Sequence, residues 1–201
     1  MGDKDKIIAL PHVDATARQR LAERMRALHI TRIDEMPRIE LYLDQVLTLV
    51  TQELEFMQVP GDTTVTGSMV NNYVKQGVIP APRKKRYTRR HLGALLFVCA
   101  FKRVFSIAQV KQLMERIYAS GVDLAWLYDE TCDLLERSLS ARFAEDVDAA
   151  GACEGDSGLR GGRERGLDPE LQRLIEAAVA SLATRVFVEQ TLLLANGGER
   201  R

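Results

Sequence analysis

Residues 71–92 read NNYVKQGVIPAPRKKRYTRRHL. The stretch carries seven Lys or Arg (Lys75, Arg83, Lys84, Lys85, Arg86, Arg89 and Arg90) and no acid. It also carries its own punctuation. Gly77 stops a helix, Pro80 and Pro82 keep the chain extended, and Thr88 caps the next helix. The order is a short helix, an extended basic turn, and a second helix that opens on two arginines.

Outward from this stretch the basic run widens. Residues 63–114 hold ten Lys or Arg and no Asp or Glu. The remaining residues hold 18 basic side chains against all 28 acids, so a neutral total hides a segment at +10 beside a remainder at −10. Such a segment expects a polyanion, and the acidic remainder weakens unspecific sticking.

The helix before the turn starts at an N-cap, Thr66, and stops at Gly77. Met69 with Tyr73, and Val70 with Val74, are i,i+4 pairs fit for a core. Ser68, Asn71, Asn72 and Lys75 form the opposite, polar stripe. Asn pairs bidentately with adenine in the major groove, Lys reaches guanine or phosphate, and Ser contacts either. A solvated surface helix carries a similar stripe, so the stripe alone leaves the choice open.

The start of the second helix bears on that choice. Arg89 and Arg90 oppose the helix dipole, at a cost of a few tenths of a kcal/mol each. A docked phosphate reverses the sign, because backbone N–H groups, dipole and guanidinium groups all favour it. Arg83, Lys84, Lys85 and Arg86 then flank the same phosphate backbone as a wing. Helix, basic turn and helix together have the shape of a winged helix-turn-helix.

Almost everything else reads as helix. Asp14 caps a first one, ATARQRLAERMRAL. A second is expected from Pro37 to Met57, with Ile39, Leu43, Val46, Leu47, Val50, Leu54 and Met57 on one face. Residues 89–104 are nearly all apolar after the first turn and should be central. Ser106 caps a helix with Ile107, Val110, Leu113 and Ile117 on one face, and Gly121 ends it. Residues 122–143 carry a leucine stripe, the six glycines of 146–167 read as a flexible linker, and 168–195 form a last apolar helix. The expected division is a helical segment at 1–33, a DNA-binding winged helix-turn-helix at 34–120, a helix at 121–145, the linker at 146–167, and a C-terminal helix at 168–201 for dimerisation or sensing.

Other chemistries find little to stand on. Cys99, Cys132 and Cys153 are odd in number and widely spaced, which fits a reducing, cytoplasmic setting better than a disulfide framework. No close Cys/His pair offers a metal site. No N-terminal leader pattern is seen, and no apolar run approaches the roughly 18 residues that span a bilayer. His91 has no nucleophile near it in sequence and reads as a packing residue. The glycines of GLRGGRERG match no phosphate loop, and Trp126 and Tyr128 read as core. No catalytic constellation and no cofactor site is visible.

NYVKQGVI, the basic turn, YTRRHL and then FSIAQVKQLM resemble, in order, the MerR-type winged helix. That resemblance covers about residues 64–117. It implies that Ser68, Asn71 and Asn72 read or touch DNA, that Tyr73 is the aromatic of the motif and joins the phosphate-facing set, and that Lys85 and Arg86 lie in the wing. This wing is about three residues shorter than usual and lacks an Asn-Gly tip, and the longer LYLDQVLTLVTQELEFM replaces the motif's first helix. MPRIELYLDQVLTLV, followed by VTGSMVNNYVKQGVIPAPRKKRYTRRHLGALLFVCAFKRVFSIAQV, is similar to bacterial proteins catalogued as domain of unknown function 1836, over about residues 34–140.

The expectation is a mostly α, MerR-like winged helix-turn-helix protein with additional N- and C-terminal helices. It is a non-enzymatic transcriptional regulator that binds double-stranded DNA as a homodimer paired through residues beyond Gly121, with an effector or protein partner to be found. Ser68, Asn71, Asn72 and Lys75 read bases. Tyr73, Arg83, Lys84, Lys85, Arg86, Arg89 and Arg90 hold phosphates. The alternative is a protein-interaction or RNA-binding adaptor that uses the same basic face.

Overall fold

The computed structural model describes residues 15–144 and 158–197. Among them the chain forms seven α-helices: α1 (Ala15–Arg26), α2 (Leu43–Glu53), α3 (Gly67–Lys75), α4 (Arg89–Phe101), α5 (Ile107–Ala119), α6 (Leu124–Arg142) and α7 (Pro169–Gly197). A single 3-10 turn, Glu55–Met57, follows α2. The mostly helical expectation holds. The proposed Asp14 cap lies outside the described residues.

Helix α4 is the hub. Leu92, Leu95, Leu96, Val98, Cys99, Ala100 and Phe101 are all buried, and α4 packs against α2, α6 and α7. A helix apolar nearly all round is stable only where neighbours cover every side. Truncating Leu95, which is fully buried, would cost about 2–5 kcal/mol. The most extensive helix pair is α6 with α7, and α1 lies against both.

The loop between α1 and α2 is stapled to α6. Arg32 pairs with Asp133 and with Glu136, whose Oε2 lies 2.7 Å from Nη2. Glu136 also accepts from the Ile30 N–H at 2.6 Å, and Asp129 from the Ile33 N–H at 2.9 Å. The Tyr128 hydroxyl donates to the Thr31 carbonyl at 3.0 Å. The carboxylates hold the Arg32 guanidinium firmly protonated, with the Glu136 hydrogen bond the largest cause and burial opposing it. Three non-helical residues, Ile30, Thr31 and Ile33, thus gain backbone partners that no local structure supplies.

Three expectations are corrected here. The second helix starts at Leu43, not Pro37, because the Leu41 backbone exchanges two hydrogen bonds with Tyr87 (2.8 and 2.9 Å) and is held extended. Ile39 therefore lies outside the helix and is 69% exposed. The 146–167 stretch is not a free tether over its described half. Leu159 and Leu167 are buried, the Leu159 N–H donates to Glu176, and Arg165 lies over the Trp126 ring. Finally, α7 holds an 18-residue window of mean hydropathy 1.3, long and apolar enough by length and composition to cross a membrane. In this fold its stripe of Leu171, Ile175, Val179, Leu182 and Val186 is buried instead. The case for pairing rested on apolar surface left over beyond Gly121; α6 and α7 pack on each other, while Leu174, Val188 and Leu192 of α7 stay exposed.

Candidate nucleic-acid interface

Helix α3 forms as its ends dictate. The Thr66 hydroxyl accepts from the Met69 N–H at 3.2 Å. Gly77 takes φ +69, and the Val78 N–H returns to the Tyr73 carbonyl at 2.8 Å, a C-terminal closure that needs a residue without Cβ. Val70 and Tyr73 face the core, with Met69 and Val74 packed against it. Ser68, Asn71, Asn72 and Lys75 are all exposed on the other side. The Asn72 amide oxygen accepts from Gln76 at 3.2 Å; among the described residues the Asn71 side chain has no such partner.

The basic turn is a tight hairpin tip. Arg83 and Arg86 form an isolated antiparallel bridge, and the Arg86 N–H donates to the Arg83 carbonyl at 2.9 Å. Lys84 and Lys85 between them take φ +49 and +59. Two left-handed central residues make a turn that prefers Asn-Gly, and two lysines hold it at a cost of about 1–2 kcal/mol each. The base of the turn is the Leu41–Tyr87 bridge. Among the described residues these two bridges are isolated and no β-strand forms, so the wing expected from the sequence is not a stranded one.

The same contacts bring three starts together. The Arg86 guanidinium lies over the Tyr42 ring, 3.6 Å from its centroid, and Tyr42 precedes α2. At the next contact, a Cβ on Gly67 would stand 3.4 Å from Leu43, so the beginning of α3 packs on the beginning of α2. The base of the basic turn, the start of α2 and the start of α3 therefore adjoin. Neither Tyr42 nor its pairing with Arg86 was foreseen. An exposed aromatic one residue after a β-bridge leaves no periodic trace in a sequence.

Helix α4 opens as expected after Thr88, with a variation on the usual box. His91 Nδ1 accepts from the Thr88 N–H at 3.1 Å, the role a Glu side chain normally plays. The ring meets Tyr87 edge-on, with centroids 5.7 Å apart.

The +10 segment is not one free basic surface. Lys102 donates to the Thr64 carbonyl, Arg103 pairs with Asp62 and Glu189, and Lys111 pairs with Glu115. Arg89 donates to the Ile33 carbonyl at 3.2 Å and stands 3.6 Å from Asp34. Lys75, Arg83, Lys84, Lys85, Arg86 and Arg90 have no ion-pair partner among the described residues. Arg89 is thus partly committed inside the chain. Tyr73, expected to face phosphate, is only 6% exposed; burial also pushes its phenol up to about 12, and it is a core residue.

Cys99 and Cys132 are buried, with thiols pushed by that burial to about 11 and 12. Thiols so placed are poor ligands and poor nucleophiles at neutral pH. Cys153 lies outside the described residues.

A family model described as Domain of unknown function (DUF1836) matches residues 31–131, from the Arg32 staple through the first turns of α6. No curated protein and no solved structure matches the chain. The matched half contains α2 to α5, the basic turn and the exposed face of α3, and by that match the chain belongs to the family of domain of unknown function 1836.

Proposed function

We propose that the protein is a sequence-specific DNA-binding regulator that lays α3 into the major groove. Ser68, Asn71 and Lys75 reach base edges, and Asn72 helps to orient the helix. Arg83, Lys84, Lys85 and Arg86 hold the phosphate backbone beside the groove, and Arg90 holds a phosphate at the start of α4. The reading takes the MerR-like arrangement with a wing reduced to a turn. It also takes residues 54–66 as the connection between the first helix and the reading helix.

One observation carries it. Between Lys75 and Arg90 six of seven cationic side chains have no ion-pair partner among the described residues, no acid interrupts the segment, and the six sit on α3, the turn and the start of α4. Leaving them unneutralised beside a polar, exposed helix face is understandable if a polyanion supplies the missing charge. Acids elsewhere are placed to pair with Arg32, Arg89 and Arg103.

One α3 reads only a few base pairs, so a genomic site calls for two copies on successive faces of the groove. The regulator would work in the cytoplasm as a binding protein rather than a catalyst. Ile39 and Tyr42, both exposed near the turn, favour as second reading an adaptor that docks an acidic protein or RNA.

Selection of bound duplexes from a random library tests the first reading. The expected result is an enriched sequence whose affinity falls with salt at a log–log slope of roughly −4.5 if the five phosphate-facing cations all meet phosphates. No enrichment, together with tighter binding of an acidic peptide or single-stranded RNA, would replace it with the second.

A further inference from the structure

A cleft of about 660 Å³ opens between α4, α5 and α6. That is within the size of small-molecule sites. Its floor is made by buried apolar side chains, among them Met114, Ile117 and Leu127. One wall is a single face of α4: Arg90, Gly93, Ala94 and Phe97 stand at i, i+3, i+4 and i+7. At Gly93 the wall is closed over by Ile33 and Tyr128, whose nearest atoms a Cβ would meet at 3.1 and 3.4 Å; the half-buried Ala94 leaves the wall low between the arginine and the phenylalanine. From Arg90 to Phe97 the wall runs about 10 Å.

Charge at the mouth selects the occupant. Two acids line it, Asp34 and Asp123. Asp34 faces Arg89 at 3.6 Å, and Asp123 accepts from the Ala125 N–H at 2.9 Å as the cap of α6. Arg90 is exposed and has no ion-pair partner among the described residues. An apolar trough that ends at one uncompensated guanidinium, in the first turn of a helix, suits a molecule with an apolar body and a single carboxylate head.

We infer that this cleft binds a medium-chain or aromatic monocarboxylate, with its head on Arg90 and its body along Ala94 and Phe97. Arg90 is also the residue assigned above to a DNA phosphate. A carboxylate seated there competes with that phosphate, so ligand and duplex weaken each other's binding reciprocally. This regulatory half rests on the DNA-binding reading; the binding half does not.

The test uses the full chain, with decanoate and the uncharged decanol as probes, followed by calorimetry and by amide NMR shifts along α4. Decanoate should bind one per chain and shift Ala94 and Phe97. Arg90→Gln should weaken decanoate at least about tenfold, the loss of one charge-assisted contact. The same change should leave decanol unaffected. Ala94→Trp, checked for folding by circular dichroism, should weaken both. Equal affinity of the two probes, indifference to Arg90→Gln, or unsaturable uptake would overturn the site. Duplex titrations with and without decanoate are a separate arm. A lowered duplex affinity supports the competition, and an unchanged one overturns it while the site stands. Failure to bind any duplex removes the proposed function without touching the decanoate result.

Discussion

The guanidinium carbon of Arg86 lies 3.6 Å from the centroid of the Tyr42 ring. The pair joins the end of the basic turn to the residue before α2, one step along from the Leu41–Tyr87 hydrogen bonds. It fixes where a mobile cation is held. A cation–π contact at an exposed site is worth about 0.5–1 kcal/mol. Tyr42→Ala should cost about that much in urea unfolding and weaken duplex binding by a few-fold, because Arg86 must then be ordered at the moment of binding. Tyr42→Phe keeps the ring and should do neither.

The strained tip separates folding from binding. Lys84 and Lys85 both take positive φ. Replacing them with Asn-Gly supplies the residues this turn prefers and should stabilise the protein by about 1–2 kcal/mol. It also removes two cations, so duplex affinity should fall and the log–log salt slope should flatten by roughly 0.9 for each lost phosphate contact. A tighter-binding Asn-Gly variant would show that the lysines are tip residues only.

Arg89 and Arg90 look equivalent in sequence and are not in the fold. Arg90→Ala should flatten the salt slope by roughly 0.9 with little change in stability. Arg89→Ala loses the hydrogen bond to the Ile33 carbonyl. It should cost about 0.5–1.5 kcal/mol in unfolding and change the slope much less.

Asn71 and Asn72 are likewise distinguishable. The Asn72 amide already serves Gln76, whereas Asn71 has a free amide on the same exposed face. Asn71→Ala should relax preference at one or two base pairs, by about 1–3 kcal/mol per bidentate contact, in a duplex-selection experiment. Asn72→Ala should lower affinity more uniformly. An unchanged preferred sequence in Asn71→Ala would remove it as a reader.

Helix ends were the most legible part of the sequence. Thr66, Gly77, Thr88, Ser106 and Gly121 punctuate the chain where α3, α4 and α5 begin or end. Each signal is local, a cap or a positive φ decided within four residues. The exposed stripe of α3 was legible too, because period 3.6 separates faces without knowledge of the partner. What failed depended on residues distant in sequence. Pro37 looked like a helix start until Tyr87, 46 positions past Leu41, held that backbone extended. Arg89 looked free until Asp34 faced it, and 158–167 looked loose until Glu176 and Trp126 met it. Tyr73 sat on a motif in the sequence and in the core of the fold. The Arg32 staple spans about a hundred residues and has no periodicity to betray it.

That staple makes a prediction about pH. Asp129 accepts from the Ile33 N–H, and Arg32 lies near, both of which favour its charged form. Burial is the larger effect, and it raises the carboxyl above its ordinary value, with Asp34 and Asp133 pushing the same way. A carboxyl raised on folding binds its proton more tightly in the folded chain than in the unfolded one. Its contribution is therefore fully present below the unfolded value, near pH 4, and is lost as pH rises through the folded value. At neutral pH the ionised Asp129 works against the fold. Asp129→Asn keeps an amide oxygen for the Ile33 N–H and removes the charge. It should be more stable than the parent at pH 7, with the advantage shrinking as pH is lowered towards 4. Thermal unfolding at pH 4, 5.5 and 7 measures this directly. A variant less stable at pH 7 would mean that the attraction of Arg32 for the carboxylate outweighs burial.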